Sequence, residues 1–198
     1  MMPVVQPPRR ARTRVEFERF VDGCAGDLLS AGYLIVWDLA EAEDLVQETL
    51  VRVARRWPRV REMDQPVAYA RRILVNLAID DAKRRSRRRG ELAPADDGRL
   101  ERHADPASAG VFGALDARAE LVGALALLPP RQRAVLVLRY FEDLSEAQTA
   151  EILGCSLGTV KSTASRGLAR MREALERDGA AAAASNGHLI SDTKERQR

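Results

Sequence analysis

Apolar residues recur at helical spacing along most of this chain. Phe17, Phe20, Val21 and Cys24 fall at steps of three and four, and Val46, Leu50, Val53, Ala54 and Trp57 form a second stripe of the same period. Pro58 predicts an end to that second helix, because proline lacks an amide donor and disfavours helical backbone in the residue before it. A further helix is expected from near Asp64, with Pro66 in its first turn, running through VAYARRILVNLAIDDAKRRSRRR and burying Ala70, Ile73, Leu74 and Leu77. From Gly90 to Asp116 the aliphatic period gives way to Gly, Pro, Ala and Asp, which predicts a flexible linker. A second helical block follows over 117–177, with breaks at Pro129-Pro130, at Glu142-Asp143 and at Gly154. The apolar run AVLVLRYF is short and follows the helix start at Pro129-Pro130, so it does not predict a strand. Residues 1–13, with Pro3, Pro7 and Pro8, predict a disordered arm, and the small, polar residues 178–198 predict a disordered tail. The expected fold class is all-α: two helical domains, 14–89 and 117–177, joined by the linker 90–116.

Within the second block, Ser145-Glu-Ala-Gln148 has the spacing of a capping box. A short helix to Leu153 would end at Gly154, which tolerates the left-handed backbone that closes helices, and Ser156 would cap the next helix. Two helices joined by three residues have helix-turn-helix spacing, with Ala150 and Gly154 small where the helices should approach. Leu157, Val160, Ala164 and Leu168 mark the expected apolar stripe of the second helix, which leaves Thr159, Lys161, Ser162, Ser165 and Arg166 on the other side. No acid occurs from Gly154 through Met171. Donor-rich groups on the N-terminal half of such a helix suit phosphates and base edges in a major groove, so this face predicts contact with duplex DNA. Gly158 weakens the helix by about 1 kcal/mol, either to let backbone approach a phosphate or to pack closely.

The composition, 45% apolar and 31% charged over 198 residues, is that of a globular protein. The net charge of +3 hides an uneven distribution. Residues 71–89 hold eight bases against Asp80 and Asp81, whereas the adjoining linker holds six acids against Arg99 and Arg102. Three lysines, Lys83, Lys161 and Lys194, leave 29 of the 32 basic residues as arginine, whose fork matches phosphate and base edges. Cys24 and Cys155 have no partner at ligand spacing, so no metal site, disulfide or cofactor is expected, and both are read as buried thiols. No apolar run approaches the roughly 18 residues of a membrane helix, and the N-terminus has no signal-peptide core. A cytoplasmic protein without a membrane contact is expected.

In the first block, Asp44, Gln47 and Glu48 share a face opposite Val46, Leu50 and Val53, and Arg52 is placed to pair with Glu48. Taken together, AEAEDLVQETLVRVARRW, PVAYARRILVNLAIDDAKRR and the stretch from LALLPPRQRAVLVLRYF to SRGLARMREAL resemble regions 2 and 4 of the extracytoplasmic-function sigma factors of the sigma-70 family, and among these the actinobacterial SigE-like group. The resemblance covers about Phe17 to Leu175 in order. It implies a non-enzymatic subunit that binds core RNA polymerase, through its β and β′ subunits, and directs promoter-specific initiation. By resemblance, Asp44, Gln47 and Glu48 dock on the β′ clamp helices. Met63, Asp64, Tyr69, Arg72, Asn76 and Lys83 fall in the loop and helix that take the unpaired −10 strand, and Thr159, Lys161, Ser162, Ser165 and Arg166 read the −35 duplex. The acidic linker would run toward the RNA exit path. Arg72, Asn76 and Lys83 also recur on one helical face, where Asn76 can bond a base edge and the cations can hold phosphates. Many relatives carry several aromatics in this helix; this chain has Tyr69, with Trp57 upstream. An anti-sigma partner is left open by the resemblance.

Two other readings are weighed against this one. A helix-turn-helix regulator acting on duplex DNA without polymerase would account for the second block but not for the Asp44 face or the acidic linker. A recombinase-like enzyme needs a nucleophile set among arginines on a mixed α/β domain, and Ser30, the only serine before Arg85, has no strand pattern around it.

Overall fold

The computed structural model describes the backbone of residues 9–88 and 119–195 and the side chains of residues 13–85 and 121–177. Among the described residues there are helices and turns and no strands. The predicted linker, 90–116, lies outside them.

The first block contains α1 (Arg9–Val36), α2 (Leu39–Arg55), a short α3 (Trp57–Val60) and α4 (Pro66–Arg88). Helix α1 starts at Arg9, inside the segment that its prolines assign to a loose arm; all three prolines precede that residue. It ends where Trp37 takes a left-handed φ of 66°, an uncommon state for a bulky residue, held by stacking of its ring on Tyr33 at 5.4 Å. Asp38 then caps α2 by accepting from the Glu41 amide at 2.9 Å. The stripe of α2 is Ala42, Leu45, Val46, Thr49 and Val53, with Trp57 carried on α3. Ala54, expected on that stripe, is exposed, because it lies a full residue step beyond Val53 and a small side chain does not reach back. Phe17 and Phe20 of α1 pack on Trp57 with ring centroids 5.2 and 5.0 Å away and close the end of the bundle.

The second block contains α5 (Ala119–Ala126), α6 (Pro130–Leu136), a π-helical turn (Val137–Phe141), α7 (Glu146–Leu153) and α8 (Leu157–Glu195). Pro130 starts α6, where its missing amide costs nothing. Seven consecutive residues, Gln132 to Leu138, are buried, so the apolar run that could have been a strand is a helix covered on all sides. Tyr140 and Phe141 point outward at the end of the π turn, and Asp143, at φ 48°, reverses the chain toward α7. Helix α8 continues to Glu195, past Arg177 where the change of polarity predicts an end; the alanines of 180–184 have the highest helix propensity of any residue.

The two blocks pack on one another. Helices α1 and α4 meet α6, and α4 also meets α7. One apolar cluster includes Leu28, Ile35 and Leu74 from the first block with Ala134, Val137, Leu138 and Ile152 from the second. This explains why α4 buries Val75 and Ile79 besides Ala70, Leu74 and Ala78. The helix is covered on two sides.

Candidate nucleic-acid interface

The turn between α7 and α8 is built by its own side chains. The Ser145 amide donates to Gln148 Oε1 at 2.9 Å and the Gln148 amide donates to Ser145 Oγ at 3.2 Å, a complete capping box. Gly154 closes α7 in the left-handed region at φ 60°, and the Cys155 amide reaches the Ala150 carbonyl at 3.0 Å. A Cβ on Gly154 would meet nothing within 4 Å, so the glycine serves the backbone angle and not a close helix approach. Ser156 caps α8 by accepting from the Thr159 amide at 3.1 Å, and the two hydroxyls lie 2.9 Å apart.

Beyond the cap, Lys161, Ser162, Ser165 and Arg166 are exposed on one side of α8, while Val160 and Thr163 are buried on the other. Thr159 is half-buried, with its hydroxyl engaged in the cap. Ser162 Oγ donates to the Thr159 carbonyl at 3.2 Å, and Arg166 Nε donates to the Ser162 carbonyl at 3.3 Å, so the face folds back on its own helix. Lys161 lies 3.6 Å from Glu146 on the preceding helix. Two expected stripe residues are placed differently: Leu157 is 49% and Leu168 38% exposed. The buried line runs instead through Val160, Thr163, Gly167 and Ala174, small residues that let α8 lie close to α6. A Cβ on Gly167 would stand 3.1 Å from Leu136 Cδ1, whereas one on Gly158 would meet only Ser156 Oγ, at 3.8 Å. Close packing is therefore the role of Gly167, and Gly158 leaves open backbone at the exposed start of the helix. Cys155, expected to be buried, is half-buried beside this turn.

On α4, Arg72, Asn76 and Lys83 form one exposed line, with Asp80 between them and 3.6 Å from Lys83. Met63 and Asp64 are exposed in the loop before the helix. Tyr69 is half-buried and its hydroxyl accepts from Arg56 Nη1 at 3.1 Å. On α2, Asp44, Gln47 and Glu48 are exposed, and Arg52 pairs with Glu48 at 2.7 Å. Each of the three predicted sets thus shares a surface of its own element or loop.

Two models of known families divide the chain along the same line: "Sigma-70 region 2" matches residues 20–88 and "Sigma-70, region 4" matches residues 118–171. An RNA polymerase sigma-E factor of Streptomyces avermitilis is 38% identical over 169 residues, covering 82% of this chain and 86% of the relative. The chain belongs to the extracytoplasmic-function sigma factors of the sigma-70 family. A SigE factor of that subfamily from Mycolicibacterium smegmatis is 36% identical, covering 73% of this chain and 56% of its own length. The solved sigma factor RpoE of Bartonella quintana, in complex with the anti-sigma factor NepR, has the same fold, with a TM-score of 0.61 at 24% identity over 81% of this chain and 97% of that one.

Two features of this sigma factor are not marked by the sequence pattern. Val51 is 44% exposed on region 2, one helical turn from Glu48, and gives the acidic face an apolar centre. An open cleft of about 480 Å³ lies among Glu16, Trp57, Arg61, Glu62 and Pro66, just before Met63 and Asp64. Arg61 is held there by Glu16 at 2.7 Å, and Trp57 Nε1 is buried without a hydrogen-bond partner. Trp57 was the visible signal, but α1 brings Glu16 to it from far away in sequence. Among the described residues no cluster of His, Cys, Asp and Glu could hold a metal ion, and no helix is long and apolar enough to cross a membrane.

Proposed function

We propose that this chain binds core RNA polymerase through the acidic face of α2 and directs promoter-specific initiation, reading −35 duplex with α8 and the unpaired −10 strand with α4 and its preceding loop. The observation that carries this reading is the presence of three separate exposed polar faces on one sigma fold. Asp44, Gln47 and Glu48 offer acid and amide groups to a basic partner. Arg72, Asn76 and Lys83 combine phosphate holders with one base-edge amide. Lys161, Ser162, Ser165 and Arg166 form a donor-rich surface on the first turns of a recognition helix, with Glu146 of α7 3.6 Å from Lys161 and Ser156 capping the helix start. A regulator of duplex DNA alone has no use for the first two faces.

In this reading the chain is a specificity subunit and not an enzyme, and it works in the cytoplasm where polymerase and promoters are. An anti-sigma factor, such as the one that holds the Bartonella quintana protein, is the regulator we propose for it. Runoff transcription of a genomic fragment library with purified core polymerase tests the reading. Discrete new start sites sharing two upstream elements are expected. Transcription that is the same with and without the folded chain would overturn it.

A further inference from the structure

Glu146 is the first residue of α7, directly after Ser145, and its carboxylate lies 3.6 Å from the Lys161 ammonium on the second turn of α8. The local structure has little need of it. The cap of α7 is complete with Ser145 and Gln148, and the turn is closed by Gly154 and Ser156, so the Glu146 side chain adds only the small gain of an acid beside a helix N-terminus. What the carboxylate alters is the charge of the neighbouring helix. Lys161 and Arg166 give the exposed start of α8 two positive charges, in a stretch without acids from Gly154 through Met171, and Glu146, brought up by the turn, leaves one net charge of the two.

The ion pair itself is weak, because both side chains stand in water, Lys161 66% and Glu146 39% exposed. Lys161 is therefore free to leave for a phosphate at little cost. The carboxylate cannot follow, since it is fixed to the first turn of α7, and a phosphate that takes Lys161 lies well inside the roughly 10 Å over which salt leaves charges unscreened. Repulsion between that phosphate and Glu146 outlasts the pair. Ser162 and Arg166 bond to carbonyls of α8 itself, so the charge of Glu146 falls on Lys161, a compact point charge suited to phosphate.

We propose that Glu146 is a brake on the phosphate contact of the duplex-reading face: it cancels the charge that Lys161 brings to the DNA backbone and keeps sequence-independent binding weak. The inference rests on the proposed −35 reading by α8. Phosphate contacts supply nearly all of the binding to non-specific duplex and carry no sequence information. Holding them down keeps the chain off generic DNA and leaves its base contacts in place.

The brake is tested by anisotropy of a labelled −35 duplex from the runoff library and of a scrambled duplex, each titrated with the full chain bound to core polymerase between about 50 and about 200 mM salt. Glu146→Gln is expected to tighten binding to both duplexes by the same factor, about three- to tenfold at the lowest salt, and to steepen the salt slope by about one, so that the gain shrinks roughly fourfold across the range. Glu146→Asp keeps the charge and should keep the slope of the parent. Glu146→Gln with Lys161→Ala removes one charge of each sign and should return the slope to that of the parent. A slope that Glu146→Gln leaves unchanged would overturn the proposal, even with a lower urea midpoint, because Glu146 would then serve only the end of α7. A change confined to one base-pair variant of the −35 duplex would also overturn it, by making Glu146 a base reader. If the parent itself does not prefer the −35 duplex to the scrambled one, the −35 reading fails first, and that comparison precedes any substitution.

Discussion

Two glycines of α8 meet opposite demands. Gly167→Ala forces a methyl to within 3.1 Å of Leu136 and is expected to destabilise the second block by about 1–3 kcal/mol. Gly158→Ala meets only Ser156 Oγ, at an unstrained 3.8 Å, and should stabilise it by about 1 kcal/mol. Urea unfolding of both variants checks the pair of signs. If backbone at Gly158 lies against a phosphate, the same alanine also weakens −35 duplex binding. The exposed cations divide similarly. Lys161→Ala should weaken binding to every sequence and lower the salt slope by about one, whereas Arg166→Ala should cost about 1–3 kcal/mol and relax preference at one base pair. Anisotropy titrations on single-base −35 variants at several salt concentrations separate the two. Equal loss on all variants would make Arg166 a backbone clamp and leave reading to Ser162, Ser165 or Thr159. At this scale the caps were legible, since Ser145, Gln148, Gly154 and Ser156 act through neighbours three to five residues away. The buried line of α8 was not. Hydrophobicity marks Leu157 and Leu168, while close helix crossing selects Thr163 and Gly167.

Each proposed face is carried by one helix, in one case with the loop before it, so each can be broken without the others. Reversing Asp44 and Glu48 to Lys on α2 sets positive charge where a basic partner is proposed, and core affinity should fall while duplex binding by α8 is kept. Unchanged affinity in the folded variant would remove α2 from the docking surface. Arg72→Ala with Asn76→Ala on α4 should weaken binding of a single-stranded −10 oligonucleotide and leave −35 duplex binding intact. Loss of both would mean that the helix fails to fold, and loss of neither would place strand capture elsewhere, with the Trp57 cleft the next candidate. The outer faces of α2 and α4 were readable because exposed polar positions follow the period of their own helix. The inner faces were only half readable. Val75 and Ile79 are buried in an apolar cluster that includes residues of the second block, more than 50 positions away, which no local spacing announces.

At the scale of the whole molecule, the packing of the blocks sets a pH dependence. Burial pushes the Glu142 carboxyl up against the pull of Arg71, with Asp27 adding to the rise, and burial likewise raises Cys24, which feels the same Asp27 and Arg71. A carboxyl with a raised folded-state pKa contributes stability that is fully present below its unfolded pKa and is lost as pH rises through the folded one. The parent should therefore gain stability relative to Glu142→Gln as pH falls from neutral toward the ordinary carboxylate range, measured by urea midpoints at pH 7 and 5. A constant gap between the two would show that Glu142 is not titrating inside the folded chain. Arg133 is pulled down to about 10 by its burial and by Arg85, and stays charged throughout that window. Neither the packing of the blocks nor the place of Arg133 in it could be read from the sequence, because a lone arginine in a helix looks like any solvated cation until Ile35 is found beside it. The order of two helical blocks and a linker was legible. The central claim is that one chain, joined to core polymerase, reads duplex at one end and opens DNA at the other. Permanganate footprinting on a promoter fragment from the runoff library tests it most directly. Reactive thymines at the −10 element are predicted only when core and chain are both present, and to disappear with either Arg72→Ala/Asn76→Ala or a mutated −35 element. A chain that protects the −35 duplex yet leaves the −10 element paired, with core polymerase present, would contradict it.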